Sequence, residues 1–249
     1  MPIDRTQLKL QARQVIAEYK KPSPLAVGLA YLVLSLVISL LSQRLLSSNM
    51  TVNTLNSYMS YFQAGDYDKV LSVASGMCPT PMATLLNLAL QLVLDIVSAG
   101  FLIYLLNCVR RTAPVIGNLL DGFAIWWKII LLNLLIGLFE MLWGLLLVVP
   151  GIIASYRYRQ AIYILLDNPD LSVMECIRRS KAMMEGRKWE LFVLDLSFIG
   201  WYLLSSFPYF GYFVQIWTLP YFNMTYTLYY EKLRIERGAE RPVYENTAV

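Results

Sequence analysis

Five ionisable side chains stand inside long apolar runs, and these are the places where the sequence could do chemistry: Asp95, Glu140, Arg157, Arg159 and Asp195, with Asn87 and Asn133 as uncharged companions. A charge at membrane depth costs several kcal/mol unless it is paired or hydrated, so each is a functional candidate by default. Counting about 1.5 Å per residue from Pro150, Glu140 lies roughly 15 Å, Arg157 roughly 10 Å and Arg159 roughly 13 Å below one membrane face, so Glu140 is expected to pair with one of the two arginines. On the same rise, Asp95 and Asp195 fall in the inner half of a hydrocarbon core about 30 Å thick. Two readings follow. One is a polar cavity that binds or passes a small substrate or ion. The other, preferred, is an ion-pair lattice that holds a short fourth helix, Gly151 to Asp167, in place. The chain has no histidine, and its three cysteines, Cys78, Cys108 and Cys176, are odd in number and far apart. Zinc, haem and Ser-His-Asp chemistry are therefore not expected, nor is any cofactor or metal. Asp66 and Asp68 form a bare D-x-D, which without further carboxylates is a weak metal signal.

The elements that must position these residues follow from composition. Of 249 residues, 57% are hydrophobic and 15% charged, against roughly 45–50% and about 25% in soluble domains. The expected fold class is all-α: a polytopic transmembrane helical bundle of about six spans, forming a single membrane domain over residues 1–249. Leu25 to Leu46 and Pro81 to Leu106 each suffice for one crossing, and two longer runs, Gly122 to Leu166 and Trp189 to Tyr230, for two each. The longer runs are expected to turn at Pro150-Gly151 and near Phe207-Pro208 to Gly211. Basic residues cluster before Pro22, at Arg110-Arg111, between Arg178 and Lys188, and after Tyr230, whereas the 47–80 connection carries only Lys69. The positive-inside rule then places 47–80 outside the cell, and both ends, including the tail 231–249, in the cytoplasm. The net charge of +4 is explained by this orientation, and no nucleic-acid partner is expected.

Two segments are amphipathic. In 1–21, Asp4 and Gln7 resemble a capping pair and Leu8, Ala12, Val15, Ile16 and Tyr19 recur at helical spacing, predicting a helix on the inner leaflet. In 172–186, Ser172-Val173-Met174-Glu175 is a capping box; Val173, Ile177, Ser180 and Met184 share a face, and Gly186 supplies the stop. This helix is expected to float at the cytoplasmic interface, where Arg178, Arg179 and Lys181 would meet anionic lipid headgroups or a protein partner. Gly137, Gly144 and Gly151 recur every seven residues and would let helices approach closely.

From Pro150 onward the chain resembles a known family. The residues are Pro150-Gly151-Ile152-Ile153-Ala154-Ser155-Tyr156-Arg157-Tyr158, Asp167-Asn168-Pro169-Asp170-Leu171-Ser172, Arg178-Arg179-Ser180-Lys181, Gly186, Trp189 and Leu196-Ser197-Phe198-Ile199-Gly200-Trp201, continuing to Pro220-Tyr221 and Tyr229-Tyr230. They are similar to the bacterial integral membrane family known as domain of unknown function 975, with a looser likeness over nearly the whole chain. The resemblance implies a multi-span protein of the bacterial cytoplasmic membrane and brings no activity or catalytic residue. A more distant likeness is to the membrane domain attached to some glycerophosphodiester phosphodiesterases; no phosphodiesterase domain accompanies it here, so hydrolysis by that route is not expected. The expected function is non-enzymatic, an interaction, envelope or resistance role with membrane lipids, a protein partner or a second copy. A small-substrate transporter and an intramembrane lipid-modifying enzyme are the alternatives.

Overall fold

The computed structural model describes residues 3–46, 52–77, 80–207 and 210–238. Cys78, Pro208, the tail beyond Gly238 and residues 47–51 of the connection lie outside the described residues. All regular structure among the described residues is helical. The chain divides into two compact units, Val33–Leu94 and Met1–Leu32 with Asp95–Val249.

Two long helices begin in the same way. Helix α1 (Arg5–Glu18) precedes α2 (Pro24–Leu46), in which Pro24 takes the first turn, where a missing N–H is no loss, and Ser23 Oγ accepts from Ala26 N at 3.1 Å. After α3 (Val52–Ala64) and α4 (Tyr67–Met77), α5 (Pro81–Arg110) repeats the device: Pro81 opens the helix and Thr80 Oγ accepts from Ala83 N at 3.2 Å. The Asp66-x-Asp68 pair opens α4. Asp66 accepts from Lys69 N and pairs with the Lys69 ammonium at 2.7 Å, and Asp68 lies in the first turn.

A short α6 (Asn118–Asp121) and a 3₁₀ turn (Gly122–Ile125) lead into α7 (Trp126–Leu146). The turn packs backbone to backbone on α5. A Cβ on Gly100 would lie 2.1 Å from the Leu119 carbonyl oxygen, and one on Gly122 would lie 2.3 Å from that of Ile96. Three stretches, Pro24–Leu46, Pro81–Arg110 and Asn118–Leu146, are long and apolar enough to cross a membrane.

Two of the remaining expected crossings fall on interrupted helices, and the third on a helix that carries a proline. The chain turns at Leu147, which is extended (φ −163°, ψ 148°), three residues before the expected hinge, and α8 (Val148–Tyr158) carries Pro150 in its first turn, where no N–H is required. Gly151 meets Gly144 across this hairpin, a Cβ on it falling 3.0 Å from Gly144 Cα, whereas Gly137 has no such neighbour. Arg159 and Gln160 then separate α8 from α9 (Ala161–Asp167). Helix α10 (Val173–Met183) precedes α11 (Lys188–Leu196), which is broken from α12 (Ile199–Ser205) at Ser197-Phe198; α13 (Phe210–Glu236) carries Pro220 within it.

The caps of the amphipathic helices form as their sequences require. Asp4 accepts from Thr6 N at 2.9 Å and Ser172 accepts from Glu175 N at 3.3 Å; α10 is capped at Met184, and Gly186, two residues on, adopts φ +75°, a conformation strained for any side-chain-bearing residue. Their apolar faces go elsewhere than expected. Leu8, Ala12 and Ile16 of α1 are buried in the core, with α1 packed on α13. Val173, Cys176, Ile177, Ser180 and Met183 of α10 are buried likewise, with α10 packed along α7, α8 and α9. Both faces meet protein, so neither helix rests on lipid through that face.

Candidate functional site

The two helix breaks are joined by one ion pair. Arg159 is the first residue past α8 and Asp195 lies one residue before the end of α11, and Arg159 Nη1 stands 2.7 Å from Asp195 Oδ2. Tyr156 donates its hydroxyl to the same oxygen at 2.9 Å, and Tyr226, from α13, donates to Oδ1 at 2.7 Å. The Arg159 guanidinium also lies 4.4 Å from the centre of the Tyr226 ring, within cation–π range. One carboxylate thus receives a charge-assisted bond and two phenolic donors, from α8 with its end and from α13.

A break in a helix strands backbone carbonyls, which must find donors elsewhere. At the first break, Ser180 of α10 donates its hydroxyl to the Arg157 carbonyl at 2.8 Å. At the second, Lys9 of α1 donates to the Ser197 carbonyl at 3.2 Å, its ammonium lying 4.3 Å from the centre of the Phe198 ring. Each amphipathic helix therefore serves one broken helix.

The pair expected between Glu140 and an arginine is not formed. Arg159 is engaged by Asp195, and among the described residues neither Glu140 nor Arg157 has a side-chain ion pair. Distance along the membrane normal brought Glu140 and Arg159 to similar depth, but pairing also needs the right azimuth, and the break at Arg159 turns that side chain toward α11. Glu140 instead lines a cavity of about 220 Å³ together with Asn133, Ser155, Tyr158 and Arg159. Asp95 stands beside the Asn133 carboxamide.

A second network was not anticipated from the sequence. Arg110, at the end of α5, makes a bidentate bond to Asp167 (2.8 Å on each oxygen) and a further one to Glu231 at 2.9 Å. Tyr230 donates to Asp167 at 2.6 Å, and Arg234 pairs with Glu231. The signal in the sequence is a carboxylate closing each of two apolar runs, Asp167 and Glu231, near a basic cluster.

On α10, Glu175 holds Arg178 at 2.7 Å and Arg179 at 2.9 Å, and these two arginines hold its carboxyl down at about 2. The three side chains together carry one net positive charge. Lys181 lies over the rings of Phe139 and Tyr158, 5.8 and 5.5 Å from their centres. Cys176 and Cys108 are free and buried, and burial pushes the Cys176 thiol up to about 11, far from the reactive thiolate. Among the described residues no three Cys, Asp or Glu side chains gather to hold a metal ion.

Comparison with curated proteins finds no match, and comparison with solved structures finds none. One family model does match, covering 144–237 and so both helix breaks, Arg159, Asp195 and α10, while leaving out Asp95 and Glu140. The wider likeness over the N-terminal half has no counterpart in that match. Over 144–237 the chain is similar to the family described as a protein of unknown function, DUF975.

Proposed function

We propose that this is a bacterial integral membrane protein that crosses the cytoplasmic membrane six times with both ends in the cytoplasm. Its role is in interaction, in the envelope or in resistance, and not in catalysis. The three long apolar stretches supply continuous crossings, α8 with α9 and α11 with α12 supply interrupted ones, and the proline-containing α13 supplies the last. The observation that carries a structural role for the charges is the closure of the Asp195 site: its oxygens are occupied by Arg159, Tyr156 and Tyr226. Such a centre holds interrupted helices together where lipid offers no hydrogen bonds. Partner contact falls to the exposed Arg178 and Arg179, weakened as a lipid anchor by Glu175. Two measurements test the reading. Impermeant labelling of intact cells should reach a cysteine at Gly65 and not one at Arg179; external labelling at Arg179 would overturn the topology. Asp195→Asn should lower assembled protein and cellular function in proportion. Normal amounts with lost function would overturn the structural role.

A second reading, passage of a small solute, is supported by the cavity beside Glu140, whose carboxylate has no ion-pair partner among the described residues.

A further inference from the structure

The unit Val33–Leu94 holds a larger cavity, of about 570 Å³, between the last half of α2 and the first half of α5. Its polar lining is Ser35, Ser39, Ser42 and Gln43 on α2 with Asn87 and Gln91 on α5. The spacing is helical on both sides: 35, 39 and 42 share one face of α2, and 87 and 91 share one face of α5. The opposite faces are apolar and exposed, with Leu40 and Leu41 on α2 and Leu85 and Leu88 on α5. These helices are therefore two-sided, although both pass by composition for uniform membrane spans.

Hydroxyls and carboxamides in hydrocarbon need partners. One bond crosses the groove, from Gln91 Nε2 to Ser42 Oγ at 3.4 Å, and Asn87 Oδ1 is buried with no partner. At about 1.5 Å per residue the groove runs from the ends of the helices at Leu46 and Pro81 to roughly 15 Å below them, the middle of a bilayer. None of its lining residues is charged, so it has no electrostatic preference for a cation or an anion.

We propose that this groove is an outward-open, water-filled vestibule that takes a small uncharged solute rich in hydroxyl groups. The hydroxyls of Ser39 and Ser42 and the carboxamides of Gln43, Asn87 and Gln91 both donate and accept, which matches a polyol and gives no advantage to an ion. The inference rests on the proposed topology, which puts the 47–80 side outside.

The test uses the full-length protein in cells, with Cys78, Cys108 and Cys176 replaced by serine. Single cysteines are placed at Ser39 and Gln91 in the groove and at Leu40 and Leu88 on the opposite faces. A charged, membrane-impermeant methanethiosulfonate applied outside should label Ser39→Cys and Gln91→Cys roughly tenfold faster than Leu40→Cys and Leu88→Cys, because only the thiolate reacts and it forms only where water reaches. Glycerol should slow labelling in the groove alone. Equal rates on both faces would overturn the vestibule, as would disulfide cross-linking of Ser39→Cys between two copies, which would make the groove a dimer interface. Labelling unaffected by glycerol would overturn the solute class. Reaction confined to inside-out vesicles would overturn the topology, a failure distinct from the others.

Discussion

The continuous helices α2, α5 and α7 and the interrupted pairs α8–α9 and α11–α12 solve the same problem in opposite ways. A continuous helix satisfies its backbone internally and can turn apolar side chains outward; Leu134, Leu145 and Met141 of α7 are about two-thirds or more exposed. An interrupted helix exposes carbonyls and brings charge to the break. Arg159 and Asp195 sit at their breaks, and Ser180 and Lys9 arrive from other helices to take the freed carbonyls. At the two breaks the polar groups thus gather where the backbone is weakest, and their first duty there is to replace lost helix bonds.

Substitutions should separate the two classes. Asp195→Ala leaves Arg159 without its counter-charge and should cost about 3 kcal/mol, the low end for breaking a buried pair, because Arg159 is 36% exposed. A drop in the midpoint of thermal unfolding in detergent reads it, and combining it with Arg159→Met should recover part of the loss. No recovery would mean the pair is not a unit. Ser180→Ala orphans the Arg157 carbonyl, and a loss of about 1–2 kcal/mol is expected in the same assay. Lys9→Met should cost about 1 kcal/mol and be additive with Ser180→Ala within about 0.5 kcal/mol, since the two side chains serve different breaks. Strong coupling would show the breaks to be one site. On the continuous α7, Glu140→Gln removes no ion pair and should shift stability by less than about 0.5 kcal/mol. A large loss would reveal a partner for Glu140.

Acid offers a further contrast on α10. The Glu175 carboxyl is held at about 2, below its ordinary 4.5. Its interaction with Arg178 and Arg179 is therefore fully present above about 4.5 and is lost as pH falls through about 2. Glu175→Gln should abolish that part of the acid sensitivity by removing the same contribution already at neutral pH, so that the variant and the parent converge as pH falls to about 2.

What the sequence reveals follows from which forces are local. The caps at Asp4 and Ser172 depend on residues within a turn or two, and the apolar runs Leu25 to Leu46 and Pro81 to Leu106 fall on helices long and apolar enough to cross a membrane. The breaks are not local in this way. Arg159-Gln160 and Ser197-Phe198 contain neither Gly nor Pro, so no local rule marks them. The partner of Arg159 lies 36 residues away along the chain, and depth alone pointed to Glu140. Periodicity showed that α1 and α10 each bury a face, but apolar side chains bury equally well in lipid and in protein. The polar groove was hidden for another reason: hydropathy averages over a helix, and the serines of α2 disappear among its leucines.

The bond from Lys9 to Ser197 joins residues 188 apart, and α1 packs on α13, the last helix among the described residues. A ribosome adding about 5–20 residues per second takes roughly 10–40 s to cover that interval. Throughout it, α1 has been made and its binding site has not. The fold therefore closes late, after the last helix is inserted, and until then Leu8, Ala12 and Ile16 must be sheltered by something other than their final neighbours. A basic amphipathic helix can wait on a membrane surface.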